Sequence, residues 1–198
     1  MPEVDPAAIR DAVRKKYVKV AESAEGNFMY ATGRQGALRL GYDPAIIASL
    51  PDDALSSFCG VGNPFALGPI NGGERVLDVG CGAGFDMIVA SRIVGGTGNV
   101  RGIDLTPEMA ERAWANLRRA DVTNGDVQVS GVESIPYRDA SFDVVISNGV
   151  INLSPAKEEV FNEIYRVLRP GGRLQFADIV LNEALPADVA NSLEAWSQ

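Results

Sequence analysis

A glycine-rich turn between two apolar runs is the feature that most constrains how this 198-residue chain can fold. The turn spans residues 78–86 (Asp-Val-Gly-Cys-Gly-Ala-Gly-Phe-Asp); an apolar run, residues 75–78, leads into it, and residues 87–93 after it can form a helix. A second apolar run, residues 99–103, is followed by Asp104, twenty positions after the last glycine of the turn. A strand, a glycine turn, a helix and a second strand ending in an acid form the nucleotide-binding half of a doubly wound α/β domain.

The glycine spacing distinguishes between the nucleotides that such a half-domain binds. Dinucleotide-binding enzymes use G-x-G-x-x-G/A, in which the third position is small so that helix and strand pack closely. Here the spacing is G-x-G-x-G, and Phe85 occupies the position that should be small for NAD. An acid, Asp78, also precedes the first glycine by two positions. This pattern favours S-adenosylmethionine, a ligand that has no phosphates but has an amino-acid end. Asp104 can accept hydrogen bonds from both hydroxyls of its ribose. A merely structural turn is the alternative.

Composition excludes several classes of function. The net charge of −8 argues against nucleic acid as a partner, because a basic face supplies most of the affinity for nucleic acid. We find no signal peptide and no apolar run long enough to span a bilayer, so we expect no membrane partner. Two cysteines, Cys59 and Cys81, do not make a disulfide framework, and a cytoplasmic location is expected. The absence of histidine excludes Ser-His-Asp and Cys-His nucleophiles and His-based metal sites, and we predict no metal.

The chain divides into two predicted parts, an N-terminal helical and irregular lid segment (residues 1–73) and a cofactor-binding domain (residues 74–198). Residues 1–22 have the apolar period of a helix, with basic residues on the side away from the apolar face. The apolar face contains Ile9, Val13, Tyr17 and Val20, and the basic residues are Arg10, Arg14 and Lys15. Residues 23–73 are rich in glycine and proline and predict irregular structure, with one short helix around residues 44–50.

From residue 74 onward, predicted strands and helices alternate, which indicates a doubly wound, mostly parallel sheet. The predicted strands are residues 75–78, 99–103, 127–130, 142–147 and 173–180, and their expected order in the sheet is 3-2-1-4-5. Thr106 caps the second helix of this part, Ser154 begins the third, and a last helix follows Pro186 to residue 197. Val160, Phe161, Ile164, Val167 and Leu168 are expected to form the apolar face of the third helix.

Ligands of this fold bind beyond the carboxyl ends of the strands, so the residues there are the candidate cofactor site. They are Asp78, Gly80, Cys81, Gly82, Gly84, Asp104, Leu105, Val132, Glu133, Asn148 and Gly149. Val132 is placed to pack against adenine and Glu133 to accept from its amino group, although Glu133 as a solvated turn residue is an equal alternative. Asn148 is placed to hold the methionine amino group through its carbonyl, or else to cap the loop after its strand. Cys81 fits best as a small packing residue of the cofactor loop.

Four motifs in order resemble those of the class I S-adenosylmethionine-dependent methyltransferases. They are residues 78–86, 102–109 (Gly-Ile-Asp-Leu-Thr-Pro-Glu-Met), 142–148 (Phe-Asp-Val-Val-Ile-Ser-Asn) and 166–172 (Arg-Val-Leu-Arg-Pro-Gly-Gly), and the likeness covers residues 74–180. Within that superfamily, residues 147–155 and 58–64 are similar to segments of the arsenite methyltransferases. The resemblance implies a small-molecule methyltransferase that uses S-adenosylmethionine and releases S-adenosylhomocysteine.

The chain departs from the arsenite methyltransferases at their metalloid site. The resemblance implies that three cysteine thiolates hold trivalent arsenic, since soft thiolates suit a soft metalloid. Cys59 matches one of these positions and is the candidate substrate-binding residue, with a buried inert cysteine as an equal alternative, whereas Gly149 stands where the second cysteine should be. The third would follow the Trp196 segment, and the sequence stops at Gln198. We therefore predict that this chain alone does not methylate arsenite.

The second departure concerns the sheet. Class I methyltransferases complete their sheet with two further strands after the fifth, but only 18 residues follow Val180 here. We expect those strands to be missing, either because the chain is a fragment of a longer protein or because the sheet is left open at strand five. Strand five is then an exposed edge, and we expect either self-association through it or modest stability of the isolated chain. The leading function is a methyltransferase acting on a small-molecule acceptor, with no catalytic residue assigned. A protein that binds S-adenosylmethionine without transferring its methyl group is the alternative, and an NAD-dependent oxidoreductase is disfavoured by Phe85.

Overall fold

A five-stranded parallel sheet forms the centre of the molecule in a computed structural model that describes residues 5–50, 52–183, 192, 193 and 196. Its strands are β1 (Arg75–Val79), β2 (Asn99–Asp104), β3 (Gly125–Val129), β4 (Phe142–Asn148) and β5 (Leu168–Ala177). They lie in the order β3-β2-β1-β4-β5, with every pair parallel. The predicted fold class and strand order are confirmed.

Helices cover both faces of this sheet. They are α1 (Pro6–Glu22), α2 (Gly33–Arg39), α3 (Pro44–Ala48), α4 (Asp52–Ser56), α5 (Phe85–Val94), α6 (Pro107–Arg119) and α7 (Lys157–Val167). Neighbouring strand residues face opposite layers, so Val76 packs in the core shared with α5 and α6, while Leu77 packs in the core shared with α7. This two-sided burial is most complete in β4, where the first six residues are all buried. None of the described helices combines the length and the hydropathy needed to cross a bilayer.

The region between α1 and β1 differs from its prediction. Instead of one short helix in irregular chain, it contains α2, α3, α4 and a 3-10 helix at Pro64–Leu67. Ala37, Ile47 and Leu55 of this region are buried in the same hydrophobic core as Phe85 of α5. Helices of five to seven residues are stabilised by such tertiary packing and not by their own periodicity, so the sequence pattern misses them.

Two boundaries near the C-terminal end of the sheet also differ. We predicted that strand five begins at Arg173, but β5 begins at Leu168 and contains the Pro-Gly-Gly sequence as an irregularity, with a register shift on its partner strand between Phe142 and Val144. Helix α7 begins at Lys157, later than predicted. The predicted apolar face of that helix is corrected in a further respect, because Phe161 is 41% exposed.

Residues beyond β5 are described only in part. No strand follows β5 among the described residues. The predicted helix from Pro186 to residue 197 lies almost entirely outside the described residues, so its outcome stays open.

Candidate functional site

An open-sided cavity of about 750 Å³ lies at the carboxyl ends of the strands, beneath helix α1. The predicted cofactor residues that line it are Gly80, Gly82, Asp104, Leu105, Val132, Glu133, Asn148 and Gly149, and Cys59 lines it as well. A second cavity of about 380 Å³ adjoins it, sharing Cys59, Gly80, Gly82 and Asn148, and is also lined by Asp78, Cys81 and Asp86. The two cavities together form one continuous candidate site.

The glycine turn builds the floor of this site. Gly80 has φ +75°, and a Cβ there would lie 2.4 Å from Val150 Cγ2, so no larger residue fits. A Cβ on Gly82 would meet nothing within 4 Å, which leaves this stretch of main chain open for a ligand to approach. Gly84 lines neither cavity: a Cβ there would lie 3.1 Å from that of Ala113, so this glycine lets α5 and α6 approach each other.

Asp104 closes the far side of the turn. Its Oδ2 accepts from the Gly82 amide at 2.8 Å, and its Oδ1 accepts from the Thr106 amide at 2.9 Å. Burial raises the pKa of this carboxyl, and the two amide hydrogen bonds oppose that shift. The carboxyl group is therefore fixed in orientation at the cavity wall, and each oxygen retains a lone pair for a further hydrogen bond.

Asp78 is the least satisfied polar group of the site. It is 2% exposed, and its Oδ2 has no hydrogen-bond partner among the described residues. Burial raises its pKa well above the usual value, and the nearby charges of Asp86 and Asp104 raise it further. A buried carboxylate oxygen without a partner is costly, and a cationic group placed in the smaller cavity would supply the missing interaction.

Asn148 is more heavily engaged than its sequence position indicates. Its Oδ1 accepts from the amides of Val61 and Gly62, at 2.8 and 3.1 Å. Its Nδ2 donates to Asp86 Oδ2 at 3.1 Å and to the hydroxyl of Tyr42 at 3.0 Å. The carbonyl that we predicted for the methionine amino group already accepts two amides. Sequence reasoning missed Tyr42 and Asp86, because residues 44 positions apart carry no local signal of their contact.

Glu133 is held by two partners and is not a free turn residue. Its Oε1 accepts from Ser154 Oγ at 2.6 Å and pairs with Arg10 Nε at 3.4 Å. Arg10 therefore lies at the cavity, and the prediction that it points away from the buried side of α1 is wrong. Val13 and Tyr17 of the same helix also line the cavity, so α1 covers the site.

The two cysteines have different surroundings. Cys59 lies where the two cavities meet, and its backbone carbonyl accepts from the Tyr30 hydroxyl at 2.9 Å. Burial and the charge of Asp104 raise the pKa of its thiol to about 12, so it is protonated at neutral pH. Cys81 is buried, and its Sγ would lie 2.8 Å from a Cβ on Gly102 of β2. This contact fits the predicted packing role of Cys81.

The fold and the cavity at the carboxyl ends of its strands define a nucleotide-binding α/β domain of the methyltransferase type. Residues 70–198 match the family described as "Methyltransferase domain", and the chain belongs to this family, within the class I S-adenosylmethionine-dependent methyltransferases. It is 40% identical to the arsenite methyltransferase of Halobacterium salinarum, over 93% of this chain and 51% of that protein. It is 37% identical to the human arsenite methyltransferase, over 62% of this chain and 35% of that one.

Solved structures agree with this assignment. An arsenic(III) S-adenosylmethionine methyltransferase from Chlamydomonas reinhardtii superposes with a TM-score of 0.66 at 38% identity, covering 75% of this chain and 53% of that chain. A methyltransferase from Aquifex aeolicus superposes with a TM-score of 0.56 at 24% identity over 80% of each chain, a likeness that concerns the fold alone. The chain spans about half the length of the Halobacterium and Chlamydomonas proteins.

Proposed function

We propose that this chain is an S-adenosylmethionine-dependent methyltransferase (EC 2.1.1.-) that acts on a small molecule. The observation that carries the proposal is the buried Asp78 carboxyl, without a partner for its Oδ2 among the described residues, beside a cavity floored by open glycine main chain. Asp86 and Asp104 are buried near it, so the site carries acidic groups suited to a cationic ligand. S-adenosylmethionine is such a ligand, because it has both an ammonium and a sulfonium group.

The described residues are suited to three parts of this cofactor: its ammonium group, its ribose and its adenine. Asp78 would hold its ammonium group, and Asp104 would accept from its ribose hydroxyls. Leu105 and Val132 would pack against its adenine, with the Glu133 side chain at the edge of the ring. When bound, S-adenosylmethionine supplies a methyl group for in-line displacement and leaves as S-adenosylhomocysteine.

The contribution of the protein to this reaction is mainly positioning and the exclusion of water. Helix α1 covers the larger cavity, and apolar side chains such as Val13 and Leu153 line it. Burial raises the pKa values of Tyr30 and Tyr42 above their usual range, so neither hydroxyl accepts a proton at neutral pH. No catalytic residue is assigned, and a soft acceptor such as a thiol, which needs little general-base help, fits the site best.

The acceptor differs from arsenite in this proposal, although the chain is related to arsenite methyltransferases. Cys59 lines both cavities, and its thiol is protonated at neutral pH. Gly149 has no side chain that could supply a second sulfur ligand. One neutral thiol does not hold trivalent arsenic as three thiolates do. The alternative, a protein that binds S-adenosylmethionine without transferase activity, shares the cofactor site. Turnover with a panel of thiols, arsenicals and phenols, measured by mass spectrometry, separates the two.

Calorimetry with S-adenosylhomocysteine tests the cofactor site directly. We expect micromolar binding, no comparable binding of NADH, and a loss of about 1.5–3 kcal/mol in Asp104→Ala, the size expected when charge-assisted hydrogen bonds are removed. Asp139→Ala is the matched control, because the Asp139 side chain is 80% exposed, pairs with Arg166 and lines neither cavity. Unchanged affinity in a folded Asp104→Ala variant would show that Asp104 does not contribute to cofactor binding.

A further inference from the structure

A cluster of three polar side chains, two of them buried and Asn148 half-buried, joins α5, the end of β4 and the segment between α2 and α3. Asp86, in the first turn of α5, accepts from the Tyr42 hydroxyl at 2.6 Å through Oδ1 and from Asn148 Nδ2 at 3.1 Å through Oδ2. The Tyr42 ring packs edge-on against Phe58 and Phe85, with ring centroids 5.5 and 5.0 Å away. The cluster therefore has a fixed hydrogen-bonding pattern inside a packed core.

The cluster holds one particular stretch of backbone, residues 60–62. Asn148 Oδ1 accepts from the amides of Val61 and Gly62, while Asn148 Nδ2 donates to the Gly62 carbonyl at 2.9 Å. A Cβ on Gly60 would lie 2.4 Å from Asn148 Nδ2, so the backbone at Gly60 packs directly against this amide group and no side chain fits there. Cys59 directly precedes this stretch and lies where the two cavities meet.

The charge of Asp86 determines which way the Asn148 amide faces. An ionised carboxylate only accepts hydrogen bonds, so it selects the NH₂ end of the asparagine. The carbonyl end must then face the backbone amides of residues 61 and 62. A rotated Asn148 amide would place its NH₂ against those amides and its oxygen against Asp86, which breaks both sets of contacts.

We propose that Asp86 is a positioning residue that, through Tyr42 and Asn148, holds residues 59–62 in place over the cavities. Cys59, the acceptor-side residue, is thereby fixed relative to the glycine turn. The consequence for ligand binding rests on the proposed function, whereas the holding of residues 59–62 is a property of the ligand-free chain. A buried carboxylate is a costly way to fix a loop, so its presence here indicates a requirement for orientation beyond stability alone.

Alkylation of Cys59 by iodoacetamide, followed by peptide mass spectrometry, tests the proposal without any ligand. Release of residues 59–62 exposes the thiol and lowers its pKa toward the ordinary value, so we expect alkylation about fivefold faster or more in Tyr42→Phe and in Asp86→Asn. Tyr42→Phe keeps the ring and its packing, so it decides the question even if Asp86→Asn misfolds. Buried Cys81 is an internal reference.

Tyr165→Phe is the matched control, because Tyr165 lies on α7 and is 83% exposed. The alkylation rate of Cys59 in this variant should equal that in the unmodified protein. Rates for Tyr42→Phe within twofold of the unmodified protein, with the native circular dichroism spectrum retained, would overturn the proposal.

The pH profile of S-adenosylhomocysteine affinity distinguishes orientation from simple packing. Burial raises the pKa of Asp86 to about 6, and the hydrogen bonds from Tyr42 and Asn148 oppose this shift. Among the described residues, Asp78 and Cys59 are the other ionisable groups close to the cluster, with Asp104 beside Asp78, and all three residues are unchanged in the Tyr42→Phe variant. Loss of the Tyr42 hydroxyl should move the acidic fall in affinity to higher pH, whereas a purely structural Tyr42 would lower affinity equally at every pH.

The alkylation and binding experiments test the positioning role and the proposed function independently. If the unmodified protein does not bind S-adenosylhomocysteine, the proposed function is wrong, and the alkylation rates still decide whether Asp86 positions residues 59–62. If binding occurs but neither the rates nor the pH profile respond to Tyr42→Phe, the positioning role is wrong and the proposed function stands.

Discussion

The Asp78 carboxyl shows, at the scale of one residue, a conflict between stability and binding. Its side chain is buried, and its Oδ2 has no partner among the described residues. Functional sites commonly keep such unfavourable groups because a ligand completes them. In this protein the missing partner would be the ammonium group of the proposed cofactor.

We expect Asp78→Asn to stabilise the ligand-free protein by about 1–3 kcal/mol at pH 7.5, because it removes a buried charge that lacks a partner. The folded-state pKa of Asp78 lies above the unfolded value of 3.8, so ionisation opposes folding. The gain should therefore be complete above the folded-state pKa and disappear as the pH falls through it toward 3.8. Urea unfolding at pH 7.5 and at pH 4 measures the stability gain under both conditions, with Asp139→Asn as the exposed control. A variant less stable than the unmodified protein at pH 7.5 would contradict this interpretation.

Gly149 is a second residue-scale test, because the resemblance to the arsenite methyltransferases leads us to expect a cysteine at this position. Its φ is +74°, a conformation that residues with a Cβ rarely adopt, and a Cβ there would lie 3.2 Å from Val61 Cγ1. We expect the purified chain not to methylate arsenite in the presence of glutathione and cofactor. Gly149→Cys should not restore the activity, because the backbone is strained and a third thiolate is still needed. Mass spectrometry that detects methylarsenicals from the unmodified chain would show that our assignment of the acceptor is wrong.

At the scale of elements, helix α1 covers the site and carries one ion pair to Glu133 on the cavity wall. Arg10 reaches Glu133, which Ser154 also holds, and the side chain of Arg10 is 41% exposed. We expect Arg10→Ala to weaken S-adenosylhomocysteine binding by less than about fivefold, since exposed ion pairs contribute at most about 1 kcal/mol. The difference should shrink in high salt, because salt screens exposed charges. Calorimetry at low and high salt, with Arg14→Ala as the control on the same helix, measures this; a loss above about twentyfold would mean that Arg10 contacts the ligand itself.

Elements of the sheet were predictable from sequence, whereas contacts between distant segments were not. Strands β1 and β4 contain short aliphatic runs and are each followed by a glycine, and β2 ends at an acidic residue, which are local signals. Helix α4 has five residues and shows no period, and Arg10 was misplaced because its partner lies 123 positions away. The candidate site divides in the same way. The glycine turn and Asp104 are adjacent to their strands, but the bond between Tyr42 and Asp86 appears only in three dimensions.

At the scale of the whole molecule, the sheet has two edges with different characters. Edge strand β3 has five residues, whereas β5 has ten and pairs with β4 alone among the described residues. Exposed apolar side chains lie on α7, on β5 and directly after β5, and the rings of Phe161 and Phe176 contact each other; the residues are Phe161, Tyr165, Phe176, Ile179, Val180 and Leu181. A long edge strand with apolar neighbours offers unpaired backbone groups to another chain, and the two arginines of β5, Arg169 and Arg173, are already paired with Asp143 and Glu74.

We therefore expect the 198-residue chain to self-associate through β5. The apparent mass from light scattering should rise with concentration in the micromolar range. Val180→Lys places a charge three residues after the end of β5 at a residue that is 81% exposed, and it should shift the chain toward monomer, since charged residues protect sheet edges. Val129→Lys is the matched control on the opposite edge, where Val129 of β3 is 55% exposed, and it should leave the association unchanged. If Val129→Lys disperses the assembly and Val180→Lys does not, β3 is the contacting edge; a chain that stays monomeric at all concentrations would mean that β5 is already protected.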